Sequence, residues 1–502
     1  VTGVEARLGV RPWHALVVAL VLEVALVVAS QGDIPASDPL WYAARGYRIA
    51  LDPSEAFAAP TIHPFDMRIG LTVPLAGLYR AFGVSTPVTD LPCLLAALVI
   101  LMVIYAAAPS PRGKLIGLVL GVASTTLVRE ASLLNVDLPC AALMACSILW
   151  LSRRDRPHGS WWLIAAIGAW FAAFLVKETA LWCIPVWLYA IGCDLRGASW
   201  RTVSRSFAPA IAVGVVLAAS YLALCAHVWG DAWARFAGVE ELTNDHRWSM
   251  NHSSTGAWIR RLVWQPPLLF CRMFWVTLIP ALSAAWLVRG RERLWWVATT
   301  TIALLFWFGS SSAKAYAPLP ILPRMAIPVL PGVLVLATLA TDQLLDRLRT
   351  PRRRRAVVGG LLAAVVVPSA ISIGAMIARD RPESAAYAAL HRDVADPARN
   401  VVLVCADPRC PAISAFYFGF QPPPNLKVAF APDFADAPLP GNATVRAVVN
   451  MTRRQSAREI DPRGDRVDEI EAARLPPITW HRDVRLYDAG DGARLHELLR
   501  AR

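Results

Sequence analysis

Long apolar runs alternate with short polar connections up to about residue 380, where the pattern gives way to ordinary amphipathic alternation. A bilayer core takes about 20 apolar residues in a helix. Runs near that length, or shorter and read as tilted or broken, lie at 13–30, 90–108, 114–128, 137–151, 161–176, 179–193, 207–229, 265–288, 295–309, 325–341 and 356–377. They predict about eleven transmembrane helices. No small-residue cleavage site cleanly follows the first run, and many spans come later, so it reads as a retained helix rather than a signal peptide. Alternate connections carry the arginines: Arg7 and Arg11; Arg112 with Lys114; Arg153, Arg154 and Arg156; Arg196, Arg201 and Arg205; Arg289, Arg291 and Arg293; Arg347, Arg349 and Arg352 to Arg355. The positive-inside rule places these in the cytoplasm. It turns the connections 31–89, 129–136, 177–178, 230–264 and 310–324, and the tail, outward.

The tail alternates helix-like and strand-like pieces. Helices are expected at 384–395, 412–420 and 467–475, and strands at 401–406, 426–430, 444–451 and 478–489. That is the pattern of a small α/β domain. The chain thus divides into a membrane part, 1–379, with a first outward loop at 31–89, and a soluble part, 380–502. No internal repeat is evident.

Composition agrees. Of 502 residues, 56% are hydrophobic and only 17% charged, against about 25% charged in soluble domains, and the mean hydropathy is +0.44. The net charge of +13 is largely accounted for by the cytoplasmic anchors, so nucleic acid is not an expected partner. Seven of the nine cysteines fall in or at the ends of spans and read as packing residues. Cys405 and Cys410, the pair in the tail, are either a disulfide suited to an oxidising compartment or two thiols.

Ionisable residues at the edge of a membrane span are costly and ask for a reason. They gather on the outward side: Asp33, Asp38, Arg45, Arg48, His63, Asp66 and Arg68 in the first loop; Arg129, Glu130, Asn135 and Asp137; Lys177 and Glu178; Arg260 and Arg261; Lys314, Tyr316 and Arg324. The first loop also holds amphipathic pieces at 40–51 and 69–82, suited to the interface. Many cations and a few carboxylates beside lipid suit a phosphorylated lipid, because arginine presents forked donors to phosphate oxygens and lysine a compact charge. A carboxylate there can take the proton of an attacking hydroxyl, while the cations stabilise a leaving phosphate. Structural readings stand beside these. Asp38 and Asp137 are placed to cap helices, with Pro39 and Pro139 in the first turns. Lys177 and Glu178 could pair with each other, Arg45 and Arg48 could touch headgroups, and Arg324 could be an anchor. His63 and Asp66 are a weak metal pair, and no metal site is assigned. No cofactor is assigned from the sequence, and whether a divalent cation takes part is left open by it.

The segments SDPLWYAARGYRIA, HPFDMRIGLTVPLAGLYRAFGVS, REASLLNVDLPCAALMACSILWL, LVKETALWCIPVWLY and PRMAIPVLPGVLVLA occur in an order that resembles the polytopic C-class glycosyltransferases (GT-C fold). The similar branch uses polyprenyl-phosphate sugars and includes the protein O-mannosyltransferases and lipid A aminoarabinose transferases, of the family 39 type. The resemblance covers roughly residues 1–380. It implies inverting transfer of a sugar from a polyprenyl-phosphate donor to a lipid, glycan or protein acceptor, on the outer face of the plasma (inner) membrane. It places the catalytic acid at Asp38 and a second acid at Asp137. Lys177 and Arg324 match carrier-phosphate cations, with help from Arg129 or Arg260. Arg45, Arg48, His63, Asp66, Arg68, Glu178 and Tyr316 are further substrate-binding candidates. The family commonly has an Asp-Glu pair where this chain has Asp38-Pro39, and Asp33 is the fallback acid. The alternative class is a transporter or flippase for an anionic lipid or lipid-linked sugar, which needs charged residues along a path through several spans. A scaffold that displays the tail is the third.

Overall fold

The computed structural model describes all residues except 1–11, 36, 59–63, 245–254, 311–318, 320, 349, 380, 439–442, 451–469, 471–472, 481–483 and 501–502. The chain is a polytopic α-helical membrane protein with a small C-terminal α/β sheet. Its helices up to residue 380 are α1 (Pro12–Ser30), α2 (Asp38–Leu51), α3 (Ile69–Phe82), α4 (Thr86–Ala107), α5 (Pro111–Val122), α6 (Thr125–Ala131), α7 (Asp137–Leu151), α8 (Gly159–Val176), α9 (Ile184–Gly197), α10 (Trp200–Trp229), α11 (Ala234–Asn244), α12 (Thr255–Ile259), α13 (Gln265–Leu287), α14 (Arg293–Phe308), α15 (Leu330–Arg347) and α16 (Pro351–Ile377).

Seven helical stretches among the described residues are long and apolar enough to cross a membrane: Pro12–Ser30, Thr86–Ala107, Gly159–Val176, Trp200–Trp229, Arg260–Leu287, Pro323–Arg347 and Pro351–Ile377. The sequence count of about eleven differs because several apolar runs are interrupted. The run at 114–128 divides into α5 and α6, because Ser124 turns the chain and its hydroxyl caps α6 at Leu127 N, 3.3 Å away. The run at 179–193 begins with a 3-10 turn, Glu178–Cys183, which leaves α9 only 14 residues. Helix α7, with 15 residues, rises about 22 Å, short of a bilayer core of about 30 Å.

Two compact units are present. The first comprises Val1–Ser30, Leu51–Leu75 and Asp90–Ala378. In it α7 packs on α8, and α8 on α10; α15 packs on α13, α5 and α14. The Pro323–Arg347 stretch is 94% buried, against 11% for Trp200–Trp229, so α15 is an interior helix and α10 a peripheral one. Glycines permit the closest approaches. A Cβ on Gly332 would lie 2.1 Å from Thr299 Oγ1 of α14, and one on Gly117 would lie 2.6 Å from Ile104 Cγ2 of α4.

Apart from Glu23 and Arg272, the charged side chains described in the long helices lie toward the two ends of this bundle. At one end Arg112 of α5 donates to Asp342 and Asp346 of α15 at 2.7 and 2.9 Å. Arg154 forks onto Asp194 at 2.8 and 2.6 Å, and Arg291 meets Asp155 at 2.9 Å. These arginines belong to the set that the sequence assigns to cytoplasmic connections. The far ends of α7, α8 and α15 carry the candidate site.

The second unit comprises Gln31–Ala50, Ala76–Thr89 and Arg379–Arg502, so pieces of the first loop belong with the tail. Its five-stranded sheet has strands β1 (Asn400–Cys405), β2 (Leu426–Phe430), β3 (Ala443–Asn450), β4 (Pro477–Trp480) and β5 (Val484–Asp488), in the order β2-β1-β3-β5-β4. β1 pairs in parallel with β2 and β3, and β5 runs antiparallel to β3 and β4. The single strand expected at 478–489 is two strands on either side of the polar residues 481–483, which lie outside the described residues. Of the helix expected at 467–475, most also lies outside them. Helix Pro382–Val394 has no side-chain cap of its own. Asp33 caps it from a distance, accepting from Glu383 N, Ser384 N, Ser384 Oγ and Tyr417 OH at 3.0, 2.9, 2.5 and 3.0 Å. Cys405 and Cys410 form a disulfide that joins the end of β1 to the following helix, Cys410–Tyr417. Asp38 lies in the first turn of α2, half-buried, where the helix dipole favours an acid. Arg45 of the same helix is buried and Arg48 exposed.

Candidate active site

The site is built where α7 begins and α8 and the Pro323–Val329 turn meet it. Asn135 shapes the entry to α7: its Oδ1 accepts from Leu138 N at 2.9 Å, and its Nδ2 donates to the carbonyls of Glu130 and Leu133. Asp90 and Cys93 of α4 hold the same segment through the backbone N–H groups of Leu134 and Asn135. Capping is therefore the work of Asn135, and the Asp137 carboxylate is left to pair with the Lys177 ammonium. Both side chains are buried. Lys177 also reaches Met325 Sδ at 3.3 Å, which ties the pair to the segment that carries Arg324.

Lys177 and Glu178 do not pair with each other. Lys177 is extended, with φ −154° and ψ 145°, and in extended backbone successive side chains point to opposite sides. Glu178 accepts from Arg68 Nη2 at 3.2 Å on one oxygen and from Arg235 Nε at 2.7 Å on the other. Arg68 reaches it because Gly70 lets the start of α3 approach the end of α8; a Cβ there would lie 2.7 Å from the Leu175 and Val176 backbone. Arg235 is wholly buried, over the Phe174 ring and within 3.3 Å of Tyr221 OH. Burial pushes the Glu178 carboxyl up, but Arg68 and then Arg235 outweigh it and hold the group well below the usual carboxylate range.

A second pair stands close by. Arg129 donates twice to Glu130 Oε1, at 3.0 and 2.8 Å. Burial raises the Glu130 carboxyl, Arg129 opposes the shift, Asp137 adds to it and Arg324 opposes it. Glu130 therefore feels the charges of Arg129, Asp137 and Arg324, and through the Asp137–Lys177 pair the five groups form one mixed cluster. Arg324 is half-buried in the Pro323–Val329 turn.

The remaining candidates are dispersed. Asp66, like Arg68, is buried. Arg260 is exposed on the π-helical turn Arg260–Trp264, whereas its neighbour Arg261 is fully buried and donates to the carbonyls of Trp307, Phe306 and Leu319. His63, Lys314 and Tyr316 lie outside the described residues. Among the described residues, no group of three or more His, Cys, Asp or Glu side chains could hold a metal ion.

Two arginines were not singled out by sequence reasoning. Arg235 sits in Trp233-Ala-Arg-Phe236, a lone cation between aromatic residues. Arg272 lies well inside α13, exposed, and an arginine within an apolar span is the signal that could have found it. Its neighbour Met273 packs with Met325 around Leu269, Phe306 and Ala326, and accepts from Thr126 Oγ1 at 3.0 Å through its carbonyl. The residue next to Arg272, Met273, thus borders the same apolar cluster as Met325, whose sulfur Lys177 reaches.

No family model matches the sequence, and no curated protein matches it. The structure is similar to solved membrane transferases. ArnT from Cupriavidus metallidurans bound to undecaprenyl phosphate superposes with a TM-score of 0.56 at 16% identity, over 98% of this chain and 99% of that one. The archaeal oligosaccharyltransferase AglB from Archaeoglobus fulgidus, in complex with an inhibitory peptide and a dolichol-phosphate, gives 0.55 at 13% identity, over 95% of this chain and 73% of that one. At this identity the likeness is one of fold, and the chain has the fold of the GT-C membrane glycosyltransferases.

Proposed function

We propose that this chain is a membrane glycosyltransferase that moves a sugar from a polyprenyl-phosphate donor to an acceptor hydroxyl on the outer face of the plasma membrane. The observation that carries the reading is the fold, shared over nearly the whole chain with transferases whose solved forms hold undecaprenyl phosphate or dolichol-phosphate. The mixed cationic cluster supports it.

In the proposed reaction, the Asp38 carboxylate takes the proton of the acceptor hydroxyl as its oxygen attacks the anomeric carbon. The bond from that carbon to the phosphate oxygen breaks, and polyprenyl phosphate leaves. A single displacement inverts the anomeric centre. Arg324, Arg129, Lys177 and Arg272 are the proposed phosphate cations, with exposed Arg260 as a candidate at the entrance. Lys177 has three N–H donors; Asp137 and Met325 engage two, so a phosphate oxygen can take the third without breaking the buried pair. The N-terminus is read as cytoplasmic and the tail as extracytoplasmic, from the arginine pattern.

A transporter would need charges along a path through several spans. Among the described residues, the charged side chains near the middle of the seven long helices are Glu23 and Arg272, and two such groups do not line a path. The test is purified protein with a labelled polyprenyl-phosphate sugar and a panel of acceptors. Labelled product with stoichiometric release of polyprenyl phosphate supports the reading. Lipid scrambled across vesicles with the donor bond intact refutes it.

A further inference from the structure

The Arg68–Glu178–Arg235 cluster does work that the proposed chemistry leaves unassigned. Glu178 follows Lys177 directly, and the extended backbone at Lys177 fixes their side chains on opposite sides of the chain. Each Glu178 oxygen is held by a different arginine, at 3.2 and 2.7 Å. The two arginines come from distant segments, one before α3 and one in α11. Neither is adaptable: Arg68 lies 4.4 Å from the Phe65 ring centroid and Arg235 lies 4.6 Å from that of Phe174. Both are buried, Arg235 completely. Such planar, stacked guanidinium groups fix orientation as well as charge. The clamp therefore sets the direction in which the Lys177 stem leaves the chain.

We propose that Arg235, acting through Glu178 with Arg68, is a positioning residue that aims the Lys177 ammonium at Asp137 and the carrier phosphate. The role rests on the transferase reading for its consequence, but not for its detection. Loss of the clamp frees the peptide at 177–178 to rotate, and the ammonium swings off its target. Arginine is required in this role, because lysine supplies the charge without the planar fork that stacks on Phe174 and reaches Tyr221.

The chain has four lysines, Lys114, Lys177, Lys314 and Lys427, which gives a readout independent of activity. Full-length wild type and Arg235→Met are treated in detergent with an amine-acylating reagent, and each lysine is followed by mass spectrometry. Lys427, exposed on the tail sheet, is the internal control. In wild type Lys177 stays unmodified. In Arg235→Met its labelling rises by about tenfold or more while Lys427 is unchanged, and Arg235→Lys restores little of the protection. Polyprenyl phosphate binding is then compared in a cycle with Lys177→Met. Arg235→Met weakens binding by between about tenfold and a hundredfold alone, and by less than about twofold once Lys177 is gone. Unchanged Lys177 labelling, or equal binding losses in both backgrounds, overturns the role. An Arg235→Met protein that labels at every lysine has unfolded, and Glu178→Gln, with the same shape and no charge, then replaces it under the same two criteria. If wild type binds no polyprenyl phosphate, the transferase reading fails while the labelling result still decides the clamp.

Discussion

Removing the Lys177 charge leaves Asp137 stranded, and the structure gives the size of the effect. The two side chains are 6% and 3% exposed, so water cannot take the place of the lost ammonium. Breaking a buried pair from one side costs about 3–5 kcal/mol, most of it the penalty of an uncompensated charge. Lys177→Met is close in volume and should lose that amount. The double variant Asp137→Leu/Lys177→Met removes both charges, and replacing a buried pair by apolar groups of similar size is often neutral. It should therefore recover to within about 1 kcal/mol of wild type. Equilibrium unfolding in mixed detergent and SDS, followed by far-ultraviolet circular dichroism, measures all three. Sugar transfer should be lost in both variants, so stability returns in the double variant without activity. A single variant that costs less than about 1 kcal/mol, or a double variant that is the least stable of the three, would refute the buried pair.

Glu178→Gln should lower stability by a constant amount between about pH 5 and 8, because the native carboxyl is depressed below its unfolded value of about 4.3. That stabilisation is present above the unfolded value and is lost only as pH falls through the lower native value. A difference that instead grows on acidification contradicts the clamp. Asp33→Ala removes three hydrogen bonds to one helix start and one to Tyr417 and should cost about 2 kcal/mol or more, read as faster proteolysis within Pro382–Val394; unchanged proteolysis rejects it. Cys405→Ser/Cys410→Ser opens a disulfide with a sequence separation of 5 and should cost the tail about 2 kcal/mol, seen as a lower melting temperature that reductant reproduces in wild type and not in the variant.

The runs of 18 or more apolar residues are legible in the sequence because length and composition alone decide them. The interruptions at Ser124 and Glu178–Cys183 are not, since a serine or a short 3-10 turn inside an apolar run barely changes its hydropathy. Asp137 and Lys177 stand out as ionisable residues at span ends. Their partners do not: adjacency suggests Lys177 with Glu178, and only the extended backbone shows that they face apart. Likewise Asp137 and Pro139 read as a cap, whereas Asn135 makes it. Asp33 looked like a fallback acid, but four donors occupy its carboxylate, which suits a structural anchor and not a base. The tail strands at 401–406 and 426–430 are legible from β-branched runs. The hairpin within 478–489 is hidden because both halves alternate in the same way.

The most direct measurement is transfer of labelled sugar from a polyprenyl-phosphate donor by purified wild type beside Asp38→Asn, with donor binding recorded for both. The account predicts product from wild type, none from Asp38→Asn, and similar donor binding by the two proteins. Undiminished transfer by Asp38→Asn contradicts the assignment of the base, and no turnover by wild type with any acceptor contradicts the transferase.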